Sequence, residues 1–165
     1  MARRPRHRCA ALALALVAVT GTASCGVGDI ALTQDRRLHF AEPQEREQVR
    51  LPVHLRWHFD GTPPARYAVM VDQNPPPPGR TLAWYARRDT RCVAAQGCPD
   101  ADYLSDLGVS STTRPDLVLD AITKDRVRHG GSEQHLVTVI LLDTRGRRIG
   151  ESAWTRTFRL LRTAP

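Results

Sequence analysis

Cys92 and Cys98 are the residues of this chain best placed for covalent chemistry. They enclose Val93-Ala94-Ala95-Gln96-Gly97, and Gly97 permits the turn that brings two sulfurs together. In an oxidising compartment this spacing predicts a structural disulfide, worth about 2 kcal/mol on the loop-closure account. Structural zinc wants four ligands at spacings such as Cys-x2-Cys, and a redox pair is usually Cys-x-x-Cys at a helix N-terminus. Five intervening residues and no nearby His fit neither. His54 and His58 are four apart; on a helix they would bind one zinc ion, but in a strand they stand about 13 Å apart on one face and cannot share it. His39 could join one of them across a sheet. Ser132, Glu133 and His135 are near neighbours, yet a triad is defined by geometry and roles, and the plainer reading is a solvated loop opening into a strand. No Gly-x-Ser-x-Gly, phosphate-cradling Gly loop or His-Glu-x-x-His occurs. No catalytic residue, metal site or cofactor is therefore expected. Trp84, Tyr85, Arg87 and Arg88 put aromatics beside guanidinium groups, a combination suited to glycans, anionic polymers or another protein surface. The plainer reading there is a core Trp with a polar strand end.

The elements that must carry these groups read as short strands. Leu38–Phe40 leads into the turn-like Ala41-Glu42-Pro43. From Leu51 to Phe59 the pattern has period two: Leu51, Val53, Leu55, Trp57 and Phe59 share one face, and His54, Arg56 and His58 the other. Asp60-Gly61-Thr62-Pro63-Pro64 ends that strand. Tyr67–Asp72 is the next. Pro75–Pro78 then stops any ladder, either as a stiff connector or as a polyproline-II ligand. Thr81–Tyr85 restarts an apolar alternation, followed by the cysteine loop and an acidic, irregular stretch. Gly108–Thr112 and Leu117–Ile122 read as two more strands. His135–Leu142 is β-branched and apolar, as for a strand buried on both faces. Asp143–Arg148 is a hairpin turn with Gly146 free for positive φ, and residues 149–160 return.

About seven strands at ten-residue spacing predict an all-β, antiparallel β-sandwich over residues 37–163. The early Trp-bearing strand and the long final hairpin resemble immunoglobulin-like and fibronectin-III-like modules. Cys92 and Cys98 are too close in sequence to serve as the inter-sheet pair of antibody domains.

The 165 residues hold 24 Lys and Arg against 17 Asp and Glu, a formal charge of +7. Arg3, Arg4, Arg6 and Arg8 supply four of those bases, so the chain after residue 24 has 20 bases to 17 acids. The remaining bases alternate with acids, as at Arg46-Glu47 and Asp125-Arg126, and form no stripe along the chain. Nucleic-acid binding needs a clustered positive footprint and is not expected. Lys124 is the one Lys; that skew suggests a G+C-rich genome and, taken with the first 25 residues, an actinobacterium.

Behind the basic residues 1–8 lies an apolar run over 9–19, too short for the roughly 20 residues a membrane-spanning helix needs and of signal-peptide length. Thr22-Ala23-Ser24-Cys25 follows and resembles a bacterial lipobox, with Thr22 where Leu is commonest. The resemblance implies that residues 1–24 are a lipoprotein signal peptide and that Cys25 is diacylated and becomes the N-terminus. Residues 25–36 are then lipidated Cys and flexible tether. Two acyl chains would hold the domain at the outer face of the cell membrane, anchored and not spanning. Ordinary secretory cleavage near Ala23, leaving Cys25 a stray thiol, is the alternative.

The expected function is an extracytoplasmic, non-enzymatic binding or accessory module, with the membrane as partner through Cys25 and an envelope protein or wall polymer as the bound partner. A domain for cell-wall glycan or anionic polymer, using Trp84, Tyr85, Arg87 and Arg88, is the alternative. A small hydrolase has only Ser, His and Asp composition behind it.

Overall fold

The computed structural model of the protein describes residues 35–122, 128–129 and 132–161. The expected signal peptide, Cys25 and the expected tether as far as residue 34 lie outside the described residues. The strands are β1 (Leu38–Glu42), β2 (Glu47–Val49), β3 (Val53–Phe59), β4 (Arg66–Val71), β5 (Val109–Thr112), β6 (Asp116–Leu119), β7 (Arg128–His129), β8 (Ser132–Leu142) and β9 (Trp154–Leu161). Three short helical pieces join β4 to β5: a 3-10 turn at Leu82–Ala86, α1 (Thr90–Ala94) and α2 (Ala101–Asp106).

The strands form two sheets. The smaller has the order β1-β3-β6; the larger runs β2-β9-β8-β4-β5, with β7 beside the start of β8. This is an all-β sandwich. It is not wholly antiparallel, because β2 pairs parallel with β9. The core between the sheets takes Val53, Leu55 and Trp57 from β3, Tyr67 and Val69 from β4, Val137, Val139 and Leu141 from β8, and Trp154, Phe158 and Leu160 from β9. Period two thus places side chains as expected in β3, where His54, Arg56 and His58 are exposed. Leu51 does not join that face. It is 43% exposed because the ladder begins at Val53, beyond Pro52, which has no amide to donate.

The larger sheet is covered twice. Ala68, Met70, Ile140 and Leu142 point away from the smaller sheet and pack under Leu82, Tyr85, Leu104 and Leu107 of the β4–β5 connection. This explains why β4 and the second half of β8 read as continuous apolar runs. The expected strand at Thr81–Tyr85 is instead the 3-10 turn. Leu82 and Ala86, four residues apart, are its buried members, so a five-residue alternation there was helical spacing. The stretch read as loop and irregular chain contains α1 and α2, capped by carboxylates: Asp89 accepts from the amides of Arg91 (3.0 Å) and Cys92 (3.2 Å), and Asp100 from that of Tyr103 (2.8 Å).

Gly108 returns this connection to the sheet. Its φ is +75°, and a Cβ there would lie 2.9 Å from the Val71 carbonyl oxygen, which belongs to the residue whose amide donates to the Gly108 carbonyl at 2.8 Å. Gly108→Ala is expected to cost about 2–3 kcal/mol, from left-handed strain and backbone displacement together. Urea titration would show a lower midpoint at unchanged slope.

At the other end of the domain, Asp35 binds Arg37 through both carboxylate oxygens, the shortest contact being 2.7 Å, and its carbonyl accepts from the Trp154 indole at 2.6 Å. The Arg37 side chain holds the Asp35 carboxyl down at about 2, from 3.8. A depressed folded value means the stabilisation is complete above pH 4 and disappears as pH falls toward 2. Asp35→Asn should lower stability by about 0.5–1 kcal/mol at neutral pH, and unfolding curves of variant and wild type should converge near pH 2.

Candidate functional site

The connection from Asp72 to Gly108 links two neighbouring antiparallel strands that a turn of two to five residues could join. A connection this long is most often a functional one. It is stiffened at both ends. Cys92 and Cys98 are joined by a disulfide with Cα atoms 5.2 Å apart, and Tyr103 donates its hydroxyl to Asp89 at 3.2 Å. At the other end Arg148 is buried. Its Nη1 donates to the Pro76 carbonyl at 2.7 Å and its Nη2 to the carbonyls of Glu151 and Ser152. Gly79 and Arg80 bond to the backbone of the same residue. The polyproline run is therefore a connector pinned at Pro76. Burial pulls the Arg148 guanidinium below its usual range and pushes the neighbouring Tyr85 phenol up.

The fold divides the predicted ligand residues. Trp84 and Arg87 come together: the Arg87 guanidinium lies 3.5 Å from the indole centroid, and its Nη1 donates to the Trp84 carbonyl at 2.7 Å. With Pro77, Arg80 and Thr81 they line an open groove of about 510 Å³, a size that takes a ligand of several saccharide or amino-acid units. Tyr85 turns away. Its hydroxyl donates to the Asn74 carbonyl at 2.7 Å, and its ring packs on the sheet. Arg88 is exposed but does not line the groove. Asp89, the acid adjoining these arginines in sequence, does not neutralise them. The amide of Cys92, then the Tyr103 hydroxyl and the Arg91 amide, hold its carboxyl below the usual range.

Arg80 and Arg147 went unnoticed in the sequence. Thr81 faces Arg147 in an isolated antiparallel bridge, and directly opposed residues of such a pair project to the same side. Arg147 thus adjoins the groove from the turn before β9. Among the described residues, Arg80, Arg87 and Arg147 form no ion pair.

Two other groups were singled out in the sequence. His39 and His58 face each other across β1 and β3 and both reach Asp60, at 3.2 and 3.1 Å, on an exposed surface; His54 does not take part. No set of three ligands fit to hold a metal occurs among the described residues. Glu133 and His135 do come together, not as a solvated loop but inside the sandwich. His135 Nδ1 lies 2.7 Å from an Asp72 carboxylate oxygen and its Nε2 3.6 Å from Glu133, with all three side chains almost wholly buried. Asp72 takes φ +56° and clasps Leu136 through its own amide (2.8 Å) and its second carboxylate oxygen (3.0 Å). It also borders a small cavity of about 40 Å³ with Ser105 and Ser110, room for a water or two.

No helix among the described residues is long and apolar enough to cross a membrane. Compared with known proteins, the chain matches no family model, no curated protein and no solved structure.

Proposed function

We propose that this protein is a lipid-anchored, non-enzymatic binding module of the cell envelope, built on an immunoglobulin-like sandwich, with the Trp84 groove as its binding surface. The observation that carries the reading is the groove itself. An insertion between two adjacent strands, braced by a disulfide and by Arg148, presents an indole and two guanidinium groups to solvent on the outer side of a sheet. Binding residues commonly sit on such loops over a rigid sandwich.

The strand order supports the immunoglobulin-like reading. With β1, β3 and β6 as A, B and E, and β4, β5, β8 and β9 as C, C′, F and G, the two sheets follow the A-B-E and C′-C-F-G orders of that architecture. Burial of the Asp72–His135–Glu133 group favours a structural role for it over hydrolysis.

Two measurements test the proposal. Cys25→Ala should move the protein from the detergent phase to the aqueous phase, and continued detergent partitioning would refute the anchor. Co-sedimentation of the full-length protein with purified cell-envelope fragments should fall at least ten-fold for Trp84→Phe with Arg87→Gln. Undiminished sedimentation of that variant would remove the groove from the function.

A further inference from the structure

The chain shows no basic stripe along its length, yet folding builds a basic surface. Arg80 and Arg87 arrive from the β4–β5 connection and Arg147 from the turn before β9, joined at the Thr81–Arg147 bridge. None of the three forms an ion pair with a carboxylate among the described residues. Three other exposed arginines are ion-paired, Arg37 with Asp35, Arg56 with Glu42 and Arg114 with Asp116. Arg36, Arg46, Arg50, Arg66, Arg88, Arg91, Arg145 and Arg159 are exposed and form no ion pair among the described residues, so Arg80, Arg87 and Arg147 are set apart by their convergence on one groove. The one acid within reach in sequence of Arg87, Asp89, is turned inward as the cap of α1. Arg87 lies over the Trp84 ring with one nitrogen committed to the Trp84 carbonyl, leaving the remaining N–H groups for a ligand. A planar fork of this kind matches the oxygens of a phosphate or carboxylate.

We propose that the Trp84 groove and the Arg147 turn form one continuous site for a linear anionic polymer of the wall, with successive acid groups on Arg80, Arg87 and Arg147 and the intervening polyol or sugar against Trp84. Three unneutralised guanidinium groups along an open groove fit a repeating polyanion better than a neutral glycan, for which the charges would be idle. The open groove also suits a chain that passes through over a ligand enclosed at its end. This inference rests on the binding-module reading and narrows its ligand.

The test uses full-length protein in neutral detergent and fluorescently labelled poly(glycerol phosphate), followed by anisotropy. Binding should weaken with salt, log Kd changing by roughly 2 per decade of salt for three contacts. Arg87→Gln and Arg147→Gln should each weaken binding about 3–10-fold and each lower the slope by about 0.7. These are exposed side chains, and unchanged far-ultraviolet dichroism will show that both variants remain folded. Inorganic phosphate, offering one acid group, should compete only at millimolar concentration. Binding of the polymer that is indifferent to both Arg substitutions overturns the proposal. So does binding of neutral dextran as tight as that of the polymer; a loss of dextran binding in Trp84→Phe would then keep the groove as the binding surface while removing the anionic ligand. Binding confined to vesicles containing phosphatidylglycerol overturns the polymer in favour of the membrane surface. No binding to any of these probes rejects the groove as a ligand site altogether.

Discussion

Replacing His135 with alanine is expected to lower the unfolding free energy by about 3–5 kcal/mol, from the loss of a buried hydrogen-bonding partner and the cavity that the ring leaves. The imidazole stands between Asp72 and Glu133 inside the sandwich, with none of its side chain exposed. Its removal leaves two carboxylates facing one another across the space the ring filled, beside Phe158, whose ring centre lies 5.6 Å from that of His135. Asp72 is affected twice, since its left-handed backbone is held by bonds to Leu136, the residue next to His135. The pairing can be isolated by a double-mutant cycle of His135→Ala with Asp72→Ala, which should give a coupling energy of about 1–3 kcal/mol. Urea unfolding followed by fluorescence of Trp57 and Trp154 measures both. A loss below about 1 kcal/mol for His135→Ala would mean that the site relaxes without the imidazole, and that the cluster is not a stabilising one.

The second large effect is expected at Arg148, and it joins stability to binding. One guanidinium satisfies the carbonyls of Pro76, Glu151 and Ser152, and hydrogen bonds from a charged donor are each worth about 1.5–3 kcal/mol. Bonds that share one donor group do not add, and burying the guanidinium offsets part of their gain, so Arg148→Ala should cost about 2–4 kcal/mol net. It should also release the segment from Pro76 to Arg80, which forms one wall of the groove, so polymer binding should fall at least ten-fold in protein that is still folded. Arg148→Lys keeps the charge but not the planar fork and is expected to recover less than half of either loss. Near-ultraviolet dichroism, which reports the Trp84 surroundings, should change in both variants. Full binding by folded Arg148→Ala would show that the groove wall does not depend on this clamp.

How far these features were legible follows from the range of the interactions that make them. The Cys92–Cys98 disulfide closes over five residues and could be read from that spacing together with the expected export to an oxidising compartment. The β3 alternation is equally local, since successive side chains of a strand must point to opposite faces, and Val53, Leu55 and Trp57 are buried accordingly. Gly146 takes its expected positive φ in the turn. Errors fell where two periods coincide over a few residues. Leu82 and Ala86 suit a helical turn, and the intervening apolar residues also suited a strand. Asp89 and Asp100 cap α1 and α2, but helices of five and six residues are too short for periodicity to reveal. Strand β2, three residues long and pairing parallel with the last strand, carried no pattern at all.

The amino-acid sequence by itself determined that the chain folds as a β-rich sandwich with a disulfide-closed loop. Both follow from the alternation of side chains along extended segments and from the reach of a short loop, and neither needs knowledge of what lies opposite. Only the tertiary structure decided which groups meet. His135 finds Asp72 from 63 residues away, and Thr81 finds Arg147 across a bridge between two connections. The apolar run of β8 acquires its second covering from the segment that carries Trp84. Each of these is set by strand order and register, which depend on the packing of the whole core. A charge pattern that alternates along the chain can therefore bring distant arginines together, as Arg80 and Arg87 are brought beside Arg147.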